Sequence, residues 1–221
     1  MDGNGRWAEL HGVSVAEGHR AGTRALRRTV EAAIELGIGT LVVYAFSTEN
    51  WARPADEVAD LLVLLSETID GELPDLAKQG VRTRFLGRRD RVDDATRVRM
   101  RELEAETAHL ETLQLWIAFD YGGRAELVEA AQRLVADGVD AEAVDEQAIA
   151  SRLYAPELAD LDLLVRTSGE LRLSNFMLWE AAYAELVFAE TLWPDFGEDE
   201  LRAAVEAYGA PQRRFGARAG T

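Results

Sequence analysis

Four arginines, Arg6, Arg53, Arg166 and Arg172, stand in short stretches rich in Gly, Ser, Asn and Thr. A guanidinium is a planar fork that meets phosphate oxygens two at a time, so several on one edge of a fold would make a site for a di- or polyphosphate. With 40 carboxylates in the chain, any one of these arginines could be a surface ion pair, but four in such company fit that reading poorly. The stretch Asp2-Gly3-Asn4-Gly5-Arg6-Trp7 carries two glycines that let backbone N–H groups approach an anion closely, with an arginine beside them. Taken alone it reads equally well as a turn. Neither the Walker pattern nor a Gly-x-Gly-x-x-Gly fingerprint after a strand is present. Asp2 and Glu185 are the oxygen donors a hard cation such as Mg²⁺ takes alongside substrate phosphates, or else plain surface acids. His19 follows Gly18 at a predicted helix start, where the positive end of the helix dipole favours a bound anion; a capping or buried role is the alternative. His11 and His109 show no ligand spacing and the chain has no cysteine, which excludes disulfides, thiolate metal sites and a cysteine nucleophile.

For these groups to meet, the fold must bring them to one edge. Apolar runs rich in β-branched and aromatic residues at Thr40–Phe46, Val81–Leu86, Leu113–Phe119, Leu161–Val165 and Glu185–Ala189, each bounded by turn or polar residues, predict strands. Between them lie helical patterns. Leu26, Val30, Ala33 and Ile34 make a stripe closed by Gly37, and Val58, Leu61, Leu62, Leu65 and Ile69 make another, opened by Pro54 with Asp56 and Glu57 in its first turn. Two of the runs, Thr40–Phe46 and Leu161–Val165, are almost continuously apolar, as strands covered on both faces are. The expected fold is therefore α/β, a single domain with a central, mostly parallel sheet flanked by helices. Ligands of such sheets bind beyond the carboxyl ends of the strands. Here the first run exits into Ser47-Thr48-Glu49-Asn50-Trp51-Ala52-Arg53-Pro54 and the third into Asp120-Tyr121-Gly122-Gly123-Arg124. The fourth exits into Arg166-Thr167-Ser168-Gly169-Glu170, with Arg172 and Ser174 just beyond. The Val58–Ile69 stripe is core by its periodicity, and spacing alone does not separate packed core from an apolar tunnel.

Composition narrows the classes. The 221 residues contain 24 basic and 40 acidic side chains, a net charge of −16, which disfavours a general nucleic-acid binder, so an anionic ligand must find a local basic pocket. An apolar content of 48% excludes disorder. No repeat or linker divides residues 1–221, so one domain is expected. No apolar run approaches the roughly 18–20 residues of a membrane span, and a signal peptide's basic and apolar regions are missing; a cytoplasmic protein is expected.

The Asp2–Trp7 stretch, Gly18-His19-Arg20-Ala21-Gly22, Tyr44-Ala45-Phe46-Ser47-Thr48-Glu49-Asn50-Trp51 with Arg53-Pro54, and Tyr121-Gly122-Gly123-Arg124 are followed by Asp162–Glu170, Arg172–Phe176, Leu192–Phe196 and Arg213-Arg214-Phe215-Gly216. In this order they resemble the motifs of the cis-prenyltransferases, the undecaprenyl diphosphate synthase family, over essentially the whole chain. The resemblance implies a homodimeric, Mg²⁺-dependent enzyme that adds isopentenyl diphosphate to an allylic diphosphate, each new double bond being cis. It implies farnesyl diphosphate as starter and a medium-chain product such as undecaprenyl diphosphate, because Pro54 to Gly87 holds no obvious insertion of the kind expected for longer products. A short-chain Z-prenyl diphosphate synthase and a non-catalytic subunit of the same fold are the alternatives. By the same resemblance Asp2, Asn50 and His19 are catalytic, with Asp2 handling Mg²⁺ and assisting departure of the allylic diphosphate, and Glu185 is a second acid near the metal. Gly3, Asn4, Gly5, Arg6 and Trp7 belong to the allylic site, Ser47, Glu49, Trp51 and Arg53 to a substrate loop, and Arg166, Arg172 and Ser174 to the isopentenyl diphosphate site. Loss of diphosphate builds negative charge on phosphate oxygens, which arginines, backbone N–H groups and Mg²⁺ stabilise. A long lipid product implies transient, apolar contact with the inner membrane surface, since −16 repels anionic headgroups.

The chain departs from the family pattern in two places. A short apolar strand normally precedes the Asp2 motif, whereas this sequence opens at Met1; the expectation is either a start farther upstream or an Asp2 that is poorly held. Val15 stands where the family commonly has a diphosphate-binding arginine, with Arg20 or Arg24 as candidate substitutes. On the third run Trp116 and Phe119 face opposite sides; Phe119 would narrow a tunnel, while Ala45 would leave room near the allylic end.

Overall fold

The longest run of buried residues becomes the strand around which the chain is arranged. In the computed structural model, which describes residues 1–209, the order is α1 (Asn4–His11), α2 (Val15–Glu35), β1 (Thr40–Ser47), α3 (Ala55–Asp70), α4 (Glu72–Lys78), β2 (Val81–Leu86), α5 (Asp94–Glu106) and β3 (Leu113–Tyr121). It continues with α6 (Gly123–Ala136), α7 (Glu146–Ala150), β4 (Leu163–Arg166), β5 (Glu185–Phe188) and α8 (Glu198–Gly209). The Arg213–Gly216 motif lies outside the described residues. β3 pairs in parallel with β1 on one side and β2 on the other, and β4 pairs in parallel with β5. The five expected strands are thus present and parallel but fall into two sheets. Among the described residues β1 and β4 each have one unpaired edge, and consecutive residues of both line one cavity.

Alternation along β3 divides the core. Leu113, Leu115, Ile117 and Phe119 join Val30, Leu65, Leu73, Met100 and Leu201 on the face covered by α2–α5 and α8, while Trp116 and Ala118 pack with Leu86, Leu164, Met177 and Ala181 on the other. The period breaks at Asp120, whose φ of 47° is left-handed, and Tyr121 consequently falls on the same side as Trp116 and Ala118. The helices begin and end where the sequence has signals for it. Pro54 and the acids Asp56 and Glu57 open α3, and Gly37, at φ 73°, follows the end of α2. The start of α2 differs from the expectation. Ser14 caps it in a capping box with Glu17, so the helix opens at Val15 and His19 lies in its second turn, away from the dipole's positive end.

Candidate functional site

One cavity of about 1180 Å³ runs from the strand exits into the apolar interior between the helices and the open edges of β1 and β4. Its inner wall includes Leu26, Leu41, Val43, Leu61, Leu65 and Phe119. The Val58–Ile69 stripe is therefore core and cavity wall at once, because Leu61 and Leu65 line the space while Val58 and Ile69 are packed away. Phe119 and Ala45 line it as expected, with Phe119 stacked on Phe46 at 5.0 Å, and Trp116 lies on the opposite core face.

The mouth is built on Asp2. Its backbone N–H donates to Thr167 Oγ1 at 2.9 Å, and its carbonyl accepts from Thr167 Oγ1 at 2.8 Å and from the Trp193 N–H at 3.0 Å. Asp2 is thus fastened to the exit of β4, contrary to the expectation of a poorly held residue. Its carboxylate accepts from Arg166 at 2.9 Å, and Arg6 stands 3.9 Å away. Burial pushes the carboxyl pKa up, but the Arg166 hydrogen bond and charge, the Met1 amine and Arg6 together hold it below the ordinary value. Arg166 donates also to Ser174 Oγ at 2.6 Å and to the Arg172 carbonyl, and Arg6 donates to the carbonyl and hydroxyl of Ser168.

Gly3, at φ 110°, turns the chain so that α1 starts at Asn4 with no side-chain cap. Asn4 points at α2, where only hydrogens make room for it. A Cβ at Gly18 would sit 2.4 Å from the Asn4 carbonyl oxygen, and one at Gly22 would sit 2.3 Å from Asn4 Oδ1, which is buried without a hydrogen-bond partner. His19 lines the cavity from the same helix. Burial lowers its pKa and the nearby Arg53 charge lowers it further, so the ring is neutral at pH 7. Beyond β1, the Ser47 N–H donates to Asn50 Oδ1 at 2.9 Å, Arg53 pairs with Glu57 at 2.6 Å, and Glu49 accepts from Asn175 Nδ2 at 2.8 Å.

Of the expected site residues, Asp2, Asn4, His19, Ser47, Glu49, Asn50, Arg53, Arg166 and Ser174 line the cavity. Gly3, Gly5, Arg6 and Arg172 flank the mouth through their neighbours. The indoles of Trp7 and Trp51 are turned elsewhere, and Glu185 stands at the start of β5. Trp7 donates to Asp195 at 2.8 Å and stacks on His11, and Trp51 donates inward to Asp120. Glu185 opens β5 opposite Leu163, four residues before Thr167 fastens Asp2, which is about 13 Å along a strand. Arg20 and Arg24 are exposed on α2, as is Val15.

Sequence reasoning missed Asn175. At φ 61°, it accepts the Arg124 N–H on Oδ1 and the Gly123 N–H on its carbonyl, both at 2.8 Å, while its amide holds Glu49. One residue so ties together the exits of β1 and β3 and the loop after β4. Asn tolerates the left-handed conformation, which was the available signal. Ser168 and Ser174 share that conformation, and such strain persists where the surroundings fix it, commonly at functional sites.

The chain is similar to known proteins over nearly its whole length. The family model described as "Putative undecaprenyl diphosphate synthase" matches residues 1–216. Isoprenyl transferase 2 of Bradyrhizobium diazoefficiens is 46% identical over 220 residues, covering 98% of this chain and 87% of that protein. The (2E,6E)-farnesyl-diphosphate-specific ditrans,polycis-undecaprenyl-diphosphate synthase of Salmonella paratyphi A is 44% identical over 221 residues, covering 98% and 87%. Among solved structures, lavandulyl diphosphate synthase from Lavandula x intermedia, in complex with dimethylallyl diphosphate, superposes with a TM-score of 0.94 at 31% identity, covering 98% of this chain and 95% of that one.

Proposed function

Since this chain belongs to the undecaprenyl diphosphate synthase family of prenyltransferases, we propose that it condenses isopentenyl diphosphate with farnesyl diphosphate to a medium-chain Z-polyprenyl diphosphate. The observation that carries the proposal is the gathering of Asp2, Asn4, Arg53, Arg166 and Ser174 on one rim, with apolar side chains behind it. In this reading the rim holds the diphosphates and the wall takes the chain.

Mg²⁺ suits the donors present. Asp2 is an ionised, half-exposed carboxylate at the mouth, and Mg²⁺ is typically held by one or two carboxylates together with substrate phosphates. Bound there, the ion would offset charge developing on the departing diphosphate. Arg6 and Arg166 supply fixed positive charge on either side of Asp2, and Arg166 is oriented by Ser174 and the Arg172 carbonyl before any ligand arrives. His19 acts as a hydrogen-bonding group. A homodimer in the cytoplasm that meets the membrane only to release product completes the proposal; no helix among the described residues is long and apolar enough to cross one.

A short-chain product is the second reading, favoured by the lavandulyl diphosphate synthase likeness and by Phe119 in the cavity wall. Mass spectrometry of products from farnesyl diphosphate, isopentenyl diphosphate and Mg²⁺, with Asp2→Ala as control, decides between them. A ladder ending near C50–C55 that vanishes in the variant supports the first, and a stop at C15 or C20 from shorter starters the second. No product with any starter would refute both.

A further inference from the structure

We propose that Asp120 is a positioning residue that latches the segment after β1 by gripping Trp51. The inference rests on the reading that residues 47–53 handle substrate. Asp120 is only 1% exposed, yet its side chain has no role in the mouth. Its Oδ1 accepts from Trp51 Nε1 at 2.8 Å, while Oδ2 makes no hydrogen bond and faces Arg91 Nε at 3.4 Å. Arg91 in turn lies over the Trp51 ring, 5.2 Å from its centre, and the ring meets Phe46 edge-on at 5.1 Å. The indole is thus held on three sides, by an acid at its N–H, a cation over its face and an aromatic ring at its edge.

The backbone shows that this placement is specific. Strict alternation would send the Asp120 side chain to the Trp116 and Ala118 face, but the left-handed φ of 47° turns it toward Trp51 on the other. The Asp120 carbonyl is fixed by the Arg88 N–H at 3.2 Å, and Gly87 fits only because it lacks a Cβ, which would lie 2.3 Å from the Phe119 carbonyl. Burial of a carboxylate and a strained backbone are both unfavourable alone, and they persist where the surroundings over-determine them. Trp51 sits between Asn50 and Arg53, which line the cavity, whereas Trp51 does not. Gripping it fixes the segment from behind, while the Asn175–Glu49 hydrogen bond holds it from the mouth.

The test compares wild type with Asp120→Asn, Asp120→Ala, Trp51→Phe and the Asp120→Ala/Trp51→Phe double variant. Asn keeps an acceptor for the indole and tolerates the backbone, so Asp120→Asn serves if Asp120→Ala fails to fold. Two readouts are taken: hydrogen exchange of residues 48–53 without substrate, and kcat and KM for prenyl transfer. Expected are about 10-fold faster exchange in that segment and a KM rise of about 10-fold in Asp120→Ala and Trp51→Phe, as for one lost charge-assisted hydrogen bond. The double variant should be no worse than either single, the sign of a shared contact, and Asp120→Asn should fall between. Unchanged exchange at 48–53 in folded variants, or additive losses in the double, overturns the proposal. If exchange rises as expected but the wild type transfers no prenyl group, the latch stands and the functional reading fails.

Discussion

Replacing Gly22 by Ala tests how Asn4 is placed. The added Cβ would lie 2.3 Å from Asn4 Oδ1 and 3.1 Å from Trp193 Cδ1, so the asparagine side chain must move, while Trp193 is held by its own hydrogen bond to the Gly22 carbonyl at 2.8 Å. Two opposing terms act on stability. Ala in place of Gly inside a helix gains about 0.8–1 kcal/mol, and overpacking a filled contact costs about 1–3 kcal/mol. The net loss is then at most about 2 kcal/mol, a fall in Tm of no more than about 8 °C for a chain of this size. Activity should suffer far more. If the Asn4 amide donates to a phosphate, losing that contact removes about 1.5–3 kcal/mol, or roughly 10- to 150-fold in kcat/KM. The decisive assay is the cycle with Asn4→Ala, read by thermal melts and steady-state kinetics. In the Asn4→Ala background the clash is gone, so Gly22→Ala should stabilise by up to about 1 kcal/mol and leave the already reduced rate unchanged. If Gly22→Ala destabilises the Asn4→Ala protein as much as the wild type, the obstruction lies at Trp193 and the reasoning is wrong.

Three further outcomes are expected. Asp2→Asn should lower kcat by at least about 10²-fold with little change in Tm, because its backbone ties to Thr167 and Trp193 survive; circular dichroism melts beside single-turnover rates check this. Arg166→Lys should raise KM for isopentenyl diphosphate by about 10-fold, since one ammonium cannot serve Asp2, Ser174 and the Arg172 carbonyl in the fork geometry seen, and unaltered kinetics would count against the rim as the diphosphate site. Glu180 is 2% exposed with neither carboxylate oxygen hydrogen-bonded, and burial followed by the Glu126 charge pushes its pKa up to about 7. Because the folded-state pKa is raised above the unfolded one, the folded protein keeps a proton that the unfolded chain releases; stability is full below pH 4.5 and declines as pH rises to about 7. Urea melts at pH 5 and pH 8 should therefore differ less for Glu180→Gln than for wild type, and an equal difference would show that Glu180 does not titrate in that range.

Much of this was legible in the residues, for identifiable reasons. The strands of the Thr40 and Leu113 runs and the α3 stripe follow from apolar spacing, which is what burial acts on directly. The gathering of polar exits followed from parallel strands alone. Trp7 and Trp51 were placed with the site by resemblance, and spacing could not show that their indole N–H groups reach Asp195 and Asp120. His19 was misplaced by taking Gly18 for a helix boundary; the Ser14 and Glu17 pair four residues earlier was the stronger signal. The turn at Asp120 had a signature that went unread, since Asp visits the left-handed region and is the only charged residue of this buried strand.

Asn175 also bears on where this chain can vary. Loops are the usual place for insertions because each can lengthen without disturbing its neighbours. Here one side chain and its carbonyl measure the separation between the loops after β1, β3 and β4, so a residue added to any of them displaces the other two. The segment from Gly138 to Asp145 carries no such cross-connection to the mouth and is almost wholly exposed. Length changes, tags and fusions should be accepted there, while the three exits can change only together.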